Sequence, residues 1–176
     1  MEPVKVGLLG LGTVGGGTAT VLKRNAEEIA RRAGRGIVID YAANLDLSRA
    51  EELSLSGIRL TRDAMDVVND PDIQIVVELI GGYTVARDLV MQAIRNGKHV
   101  VTANKALIAM HGNELFALAQ EKGVMIAFEA AVAGGIPVIK AIREGLAANR
   151  IEWLAGIING TSNFILTEMR DKGRPF

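Results

Sequence analysis

Short apolar runs alternate with amphipathic stretches along most of the chain. Residues 4–9, 37–43, 73–78, 99–102 and 124–128 are mainly apolar, with neighbouring positions apolar in each. Runs of this length, apolar on both faces, predict buried strands of a parallel sheet. Between them, residues 14–32, 63–69, 85–96 and 114–122 carry apolar side chains at helical spacing. Ala33-Gly34, Asn96-Gly97 and Lys122-Gly123 end helical patterns on glycine, as left-handed C-caps do. Thr61 and Thr84 stand where N-caps are expected. Strand and helix in alternation predict an open α/β sheet with right-handed crossovers. After Gly134-Gly135 the pattern changes: residues 137–148 read as one amphipathic helix with Pro137 in its first turn, 151–158 as a further strand, and 163–170 as a helix. One strand and one helix are too little for a second core, so the break near 145–150 predicts an incomplete second domain. Trp153, Tyr41, Phe116 and Phe164 are expected in the core.

Composition narrows the classes. The 176 residues allow about one domain, and 49% apolar with 23% charged residues is a globular balance. Lys+Arg and Asp+Glu are 20 each, so the basic excess of a nucleic-acid binder is missing. With no cysteine, disulfides, thiolate metal sites and cysteine nucleophiles are excluded. Two histidines, His99 and His111, make a His-rich metal site a poor expectation. No apolar run approaches the ~20 residues that span a bilayer, and no basic leader-like segment opens the chain; a cytoplasmic protein without a membrane partner is expected. The 20 glycines against 4 prolines are the informative deviation, because glycines mark places where backbone approaches something closely.

The first such place is Gly10-x-Gly12-x-x-Gly15, which follows the first strand and opens the first helix. Gly10 permits the tight turn, Gly12 lets the backbone approach a pyrophosphate, and Gly15 lets helix pack on strand. The helix N-terminus then offers N–H groups and partial positive charge to phosphates. In this strand–loop–helix context the motif points to a Rossmann-type, doubly wound, mostly parallel sheet that binds a dinucleotide. No Gly-Lys-Ser/Thr follows, which excludes a Walker loop. Asp46, at the end of the second strand, is the candidate acid for the ribose hydroxyls, and Arg49 a candidate partner for a 2′-phosphate. Asp46 and Ser48 read equally well as helix-start residues, and NAD and NADP both stay open.

Ligands of such sheets bind at the carboxyl ends of the strands. Glu78-Leu-Ile-Gly-Gly-Tyr83, Thr102-Ala-Asn-Lys105 and Glu129-Ala-Ala-Val-Ala-Gly-Gly-Ile-Pro137 follow three of them. A lysine beside a bound dinucleotide polarises a carbonyl or passes a proton, which makes Lys105 the acid–base candidate. His99 stands at the wrong end of its strand, and His111 precedes Gly112, a cap-like position; both are read as structural. Glu129, ahead of two glycines, could join a hard-cation site, since such ions take oxygen ligands.

Together these segments resemble the N-terminal half of homoserine dehydrogenases. The resemblance runs through Gly10–Gly17, Val77-Glu-Leu-Ile-Gly-Gly82, Gly97-Lys-His-Val-Val-Thr-Ala-Asn-Lys105, Phe128-Glu-Ala-Ala-Val-Ala-Gly-Gly-Ile-Pro137 and Gly156-Ile-Ile-Asn-Gly-Thr-Ser-Asn-Phe-Ile-Leu166. It implies an NAD(P)-dependent oxidoreductase interconverting L-homoserine and L-aspartate 4-semialdehyde, on the route to threonine, methionine and isoleucine. It implies pyrophosphate contacts from Gly10, Leu11, Gly12, Thr13, Val14 and Gly15. It further implies a nicotinamide side lined by Thr102, Ala103 and Asn104, with Lys105 acting near the reacting carbonyl. Glu129, Val132, Gly134 and Ile136 match a site for a monovalent cation, Na+ or K+. Asn159, Gly160 and Thr161 match a turn beside the substrate.

The same resemblance divides the chain into a nucleotide-binding domain over 1–148 and, over 149–176, the first strand and helix of an incomplete α+β catalytic and dimerisation domain. It implies a homodimer for the complete enzyme. Asn44-Leu45-Asp46 stands where the family often has Val-Arg-Asp, so the arginine expected to favour a 2′-phosphate is missing; this leans towards NAD or no strong preference. The family's substrate-binding acids and second catalytic lysine lie further along a complete chain, and the 176-residue chain alone is expected to be inactive. A dinucleotide-binding module without activity of its own is the alternative of a different class. Another amino-acid dehydrogenase, such as an aspartate dehydrogenase, is a third, which the segment 157–163 argues against.

Overall fold

The computed structural model describes residues 1–53, 55 and 57–176. It divides into two compact units, Met1–Ile136 and Pro137–Phe176. In the first unit, six parallel strands form one sheet: β1 (Val4–Leu9), β2 (Ile37–Ala43), β3 (Arg59–Thr61), β4 (Ile75–Glu78), β5 (His99–Thr102) and β6 (Ile126–Ala127). Their order is β3-β2-β1-β4-β5-β6, so the chain starts in the middle and winds outward in both directions. Between the two halves, at β1 and β4, is the switch point where such sheets hold ligands.

Alternation along the central strands explains their apolar character. Leu8, Ala42 and Val77 pack on one face, with Ala19 of α1 (Thr13–Arg24) and Ala50 of α3 (Ser48–Glu52). Leu9, Ala43 and Val76 pack on the other, beneath α4 (Ala64–Asn69), α5 (Thr84–Arg95) and α6 (Lys105–Lys122). Neighbouring residues thus enter opposite cores, which is why apolar side chains occupy consecutive positions in the middle of these strands.

Several boundaries differ from the sequence expectation. The helix expected over 14–32 is two, α1 and α2 (Ala26–Ala33), broken at Asn25 (φ −106°, ψ 20°), a residue that competes poorly for helix interiors. Neither β3 nor α3 is visible in the pattern, being short and largely exposed. Arg59 explains the strand: its guanidinium donates to Asp70 (2.8 Å) and Asp40 and stands 4.3 Å over the Tyr41 ring. Helix α6 starts at Lys105 and not at Glu114, so Gly112 is no cap. It is buried inside the helix, where an added Cβ would come within 3.3 Å of Phe116. Asp63, not Thr61, caps α4, accepting from Met65 N at 2.8 Å while Thr61 Oγ1 accepts from Asp63 N at 3.0 Å. Thr84 is the first residue of α5 and gives it no side-chain cap. Gly34, Gly97 and Gly123 do adopt left-handed conformations where helices end.

The second unit holds α7 (Val138–Lys140), a π-helical turn (Ala141–Gly145) and α8 (Gly160–Lys172). The long helix expected over 137–148 is therefore reduced to about two turns. Residues 151–158 form no strand. A strand needs a neighbour for its N–H and C=O groups, and the described residues of this unit supply none. Trp153 and Phe164 are 79% and 64% exposed, contrary to their expected place in the core, whereas Phe116 and Tyr41 pack against it.

Helices α5 and α6 are joined by an ion pair. Arg87 donates Nε to Glu114 Oε1 at 2.6 Å and Nη2 to Oε2 at 2.9 Å. That guanidinium pulls the Glu114 carboxyl from its ordinary 4.5 down to about 2. A carboxyl depressed in the folded state stabilises it above the ordinary value, and that stabilisation is lost as pH falls from about 4.5 towards 2. Thermal unfolding followed across this window is expected to show a shallower acid limb in Arg87→Gln than in the parent chain.

Candidate functional site

The site is built at the carboxyl rim, starting from the turn between β1 and α1. Gly10 is left-handed (φ +94°), and a Cβ there would stand 2.8 Å from the Leu79 carbonyl oxygen. A Cβ on Gly15 would stand 1.9 Å from the Gly10 carbonyl oxygen, so α1 lies against the turn as closely as backbone allows. A Cβ on Gly12 would meet nothing within 4 Å and would project into open space. Gly12 occupies the N-cap of α1 without a side-chain cap, and no acidic residue occupies the first turn. The N–H groups of Thr13, Val14 and Gly15 thus form a helix N-terminus suited to an anion. Gly10 N donates to Ala43 O (2.8 Å) and Leu11 N to Asn44 Oδ1 (2.9 Å), which ties the turn to the end of β2.

Two cavities open on either side of this turn. The larger, about 600 Å³, is lined by Gly10, Gly12, Asn44, Leu45, Arg62 and Met65 among others. Asp46 is not among its lining residues. Its carboxylate accepts from Ser48 Oγ (2.7 Å) and Ser48 N (3.0 Å), bonds that hold it below the usual carboxylate range. Arg49 pairs with Glu52. Arg62, which borders the cavity just past β3, was missed from sequence because β3 itself was.

The second cavity, about 290 Å³, is lined by Val14, Leu79, Gly81, Ala103, Asn104 and Lys105 among others. It brings the start of α1 and the start of α6 to one space, as the sequence grouping required. Asn104 caps α6, its Oδ1 accepting from Leu107 N at 3.0 Å and its Nδ2 donating to Gly82 O. Lys105 follows as the first residue of α6 and is exposed. A cation at the positive end of a helix gains nothing from the helix dipole, so stability does not explain the residue there. Thr102 is fully buried beneath the cavity and donates Oγ1 to Glu78 Oε2 at 2.6 Å.

The remaining candidates fall elsewhere. Glu129 begins a 3₁₀ turn (Glu129–Ala131) after β6, and Val132, Gly134 and Ile136 follow in a loop with Ala133 (φ 54°) and Gly135 (φ 77°) left-handed. Among the described residues no group of three or more His, Asp or Glu side chains is placed to hold a metal ion. Asn159 caps α8 in the second unit, accepting from Ser162 N at 2.8 Å, with Gly160 and Thr161 as the first helical residues. His99 Nδ1 accepts from Met125 N (3.0 Å) at the opposite end of β5, and His111 Nδ1 stands 2.7 Å from Glu114. Both histidines are engaged structurally. Among the described residues no helix is long and apolar enough to cross a membrane.

Comparison with known proteins decides between the families that share this rim. Residues 10–129 match the family model described as homoserine dehydrogenase, NAD binding domain, and residues 137–176 match that of homoserine dehydrogenase. The chain belongs to the homoserine dehydrogenase family. It is 70% identical over its whole length to a homoserine dehydrogenase of Pseudomonas aeruginosa and 58% identical to one of Neisseria gonorrhoeae. It spans about 40% of the length of each. A solved homoserine dehydrogenase from Thiobacillus denitrificans superposes with a TM-score of 0.89 at 72% identity, over 99% of this chain and 40% of that one. A Staphylococcus aureus homoserine dehydrogenase does so with 0.80 at 39% identity, over 99% of this chain and 40% of that one.

Within the family's nucleotide-binding part, the glycines fit a dinucleotide on the evidence of their own geometry: one Cβ position is open and one is blocked by backbone. The two roles separate by substitution. Gly12→Ala is expected to keep the parent Tm and weaken nucleotide binding, because its methyl enters the space a pyrophosphate would take. Gly15→Ala is expected to lose about 1–3 kcal/mol or more of stability from overpacking against a carbonyl that cannot retreat. Thermal unfolding and NADH titration of both variants check the pair.

Proposed function

We propose that this chain is the dinucleotide-binding part of an NAD(P)-dependent oxidoreductase that interconverts L-homoserine and L-aspartate 4-semialdehyde, in the biosynthesis of threonine, methionine and isoleucine. The observation that carries the reading is the second cavity, where Val14 of the glycine-loop helix and Ala103, Asn104 and Lys105 line one space. Gly10, Leu11, Gly12, Thr13, Val14 and Gly15 would hold the pyrophosphate, and Thr102, Ala103 and Asn104 the nicotinamide side. When bound, the cofactor supplies the hydride for the aldehyde carbon and takes it back in the oxidation.

Lys105 does the complementary work in protons. Its Nζ hydrogen-bonds the carbonyl oxygen, stabilises the negative charge that develops there, and gives up a proton to it; in the oxidation it receives that proton from the hydroxyl. Charge fixed at that oxygen before reaction is the larger part of what a lysine contributes. Asn159, Gly160 and Thr161 would meet the substrate, and Glu129, Val132, Gly134 and Ile136, three of them through backbone carbonyls, would hold Na+ or K+. The functional division at residue 148, a homodimer for the full-length protein and a cytoplasmic location belong to the same proposal.

For the ribose, Asp46 remains the acid beyond the end of β2; Ser48 engages only its Oδ1, and the side chain would have to reach the larger cavity, whose lining it does not join. With Leu45 standing where the family often has arginine, the reading leans towards NAD or no strong preference. The second reading is a dinucleotide-binding module without turnover of its own. It is favoured for the chain by itself, which spans about 40% of the relatives' length.

Both NADH and NADPH titrated into the 176-residue chain, followed by fluorescence, test the cofactor reading: saturable binding of at least one is expected. Homoserine-dependent reduction of NAD(P) by the chain alone is expected at background level. In a polypeptide of the family's full length, Lys105→Ala is expected to lower kcat by roughly 10²- to 10⁴-fold, the range of a lost acid–base group. Turnover that survives the substitution removes Lys105 from the chemistry.

A further inference from the structure

Glu78 is the only acidic residue fully buried among the described residues, with 0% exposure. It ends β4 directly beside Thr102, its register partner at the end of β5. Both of its carboxyl oxygens accept hydrogen bonds, Oε1 from Ile80 N (3.0 Å) and Oε2 from Thr102 Oγ1 (2.6 Å). Thr102 Oγ1 thus donates its one hydrogen to Glu78 and accepts from Asn104 N at 3.0 Å through a lone pair. Asn104 closes the circuit by donating Nδ2 to Gly82 O. One ring of hydrogen bonds therefore runs from Glu78 through Ile80 and the left-handed Gly81 and Gly82 (φ +74° and +68°) to Asn104, Thr102 and back.

We propose that Glu78 is a positioning residue for the nicotinamide end of the cofactor, its buried carboxylate locking loop 80–82 to the start of α6 and so setting the cavity that Lys105 borders. The inference rests on the dinucleotide reading above. Stability alone does not call for a carboxylate there, since a well-packed apolar residue generally serves a core as well or better than a buried charge. The ring also has a place where it acts. Gly81 lines both cavities, and Asn104 and Lys105 line the second, so a shift of loop 80–82 against α6 alters the space on the Lys105 side. The pyrophosphate turn is held separately, by Ala43 O and Asn44 Oδ1.

That separation supplies the test. In Glu78→Gln the amide has one acceptor and one donor end. With its oxygen kept on Ile80 N, the amide turns its donor end to Thr102 Oγ1, which then accepts from both that nitrogen and Asn104 N and loses the acceptor of its own hydrogen, leaving a buried hydroxyl hydrogen without a partner. Thr102→Val removes the middle link without moving a charge. Binding of NADH and of ADP-ribose, which lacks the nicotinamide, is measured for the 176-residue chain and both variants. Each variant is expected to bind NADH ~10-fold more weakly, the loss of a hydrogen bond to a charged group, and ADP-ribose within about twofold of the parent. If Glu78→Gln fails to fold, seen as lost ADP-ribose binding and a collapsed Tm, Thr102→Val decides. NADH affinity unchanged in Thr102→Val, or NADH and ADP-ribose weakened equally, overturns the proposal. A parent chain that binds ADP-ribose but gains nothing from the nicotinamide also overturns it while leaving the cofactor reading intact; a parent chain that binds neither overturns the cofactor reading itself.

Discussion

The rim of this molecule depends on a contact that leaves no space for a side chain. Helix α1 meets the turn that precedes it so closely that the position of a Cβ on Gly15 is already occupied by the Gly10 carbonyl oxygen. Everything at the switch point follows from that approach. It brings the N-terminal N–H groups of α1 over the end of β1, it sets Gly12 beside open space, and it lets Leu11 N and Gly10 N reach the end of β2. A helix held even one methyl further out would take its positive end away from the groove, and the two cavities would no longer share a wall at Gly10–Gly15. Glycine here is a requirement of geometry, not a tolerance of flexibility.

Charges are distributed to suit that rim. Surface ion pairs, such as Arg87–Glu114 between α5 and α6 or Arg59 with Asp40 and Asp70, brace elements remote from the glycine turn. Close to the turn the pattern reverses. The first turns of α1 and α6 carry no acidic residue, and Lys105 stands at the positive end of α6. Beneath them a single fully buried carboxylate, Glu78, organises backbone and hydroxyl donors. The two helix N-termini are thus left open to negative charge from a ligand, and in the larger cavity the carboxylate of Asp63 stands with the guanidinium of Arg62 among the lining residues.

Much of this was legible in the residues. Strands β1, β2 and β5 stand within the expected limits because their mainly apolar runs are interrupted at most singly, by Lys5 and Asp40, and are bounded by polar or glycine-rich turns. The glycine motif and Lys105 were legible because their spacing to a strand end is short and stereotyped. What escaped did so for identifiable reasons. Strand β3 is three residues of mixed polarity at a sheet edge, held by Arg59, whose partners Asp40 and Asp70 are distant in sequence; with it went Arg62. Helix α6 began nine residues early because Gly112 reads as a terminator, whereas in the fold its missing side chain makes room beside Phe116. Residues 151–158 have the composition of a strand, but a strand is a relation between two segments and the described residues of their unit provide no second one.

The sequence by itself determined the class of sheet, the anion-ready turn at its centre and the identity of the residues that gather at its carboxyl rim. These follow from local causes: periodicity of burial, the torsional freedom of glycine, and the short distance from a strand end to the next helix. Only the tertiary structure decided which of those residues share a space. It put Val14 with Lys105, left Asp46 bonded to Ser48 outside the cavity that Arg62 borders, and buried Glu78 under both loops. Such choices depend on how strands far apart in the chain align side by side, and no local pattern encodes the register in which Glu78 finds Thr102.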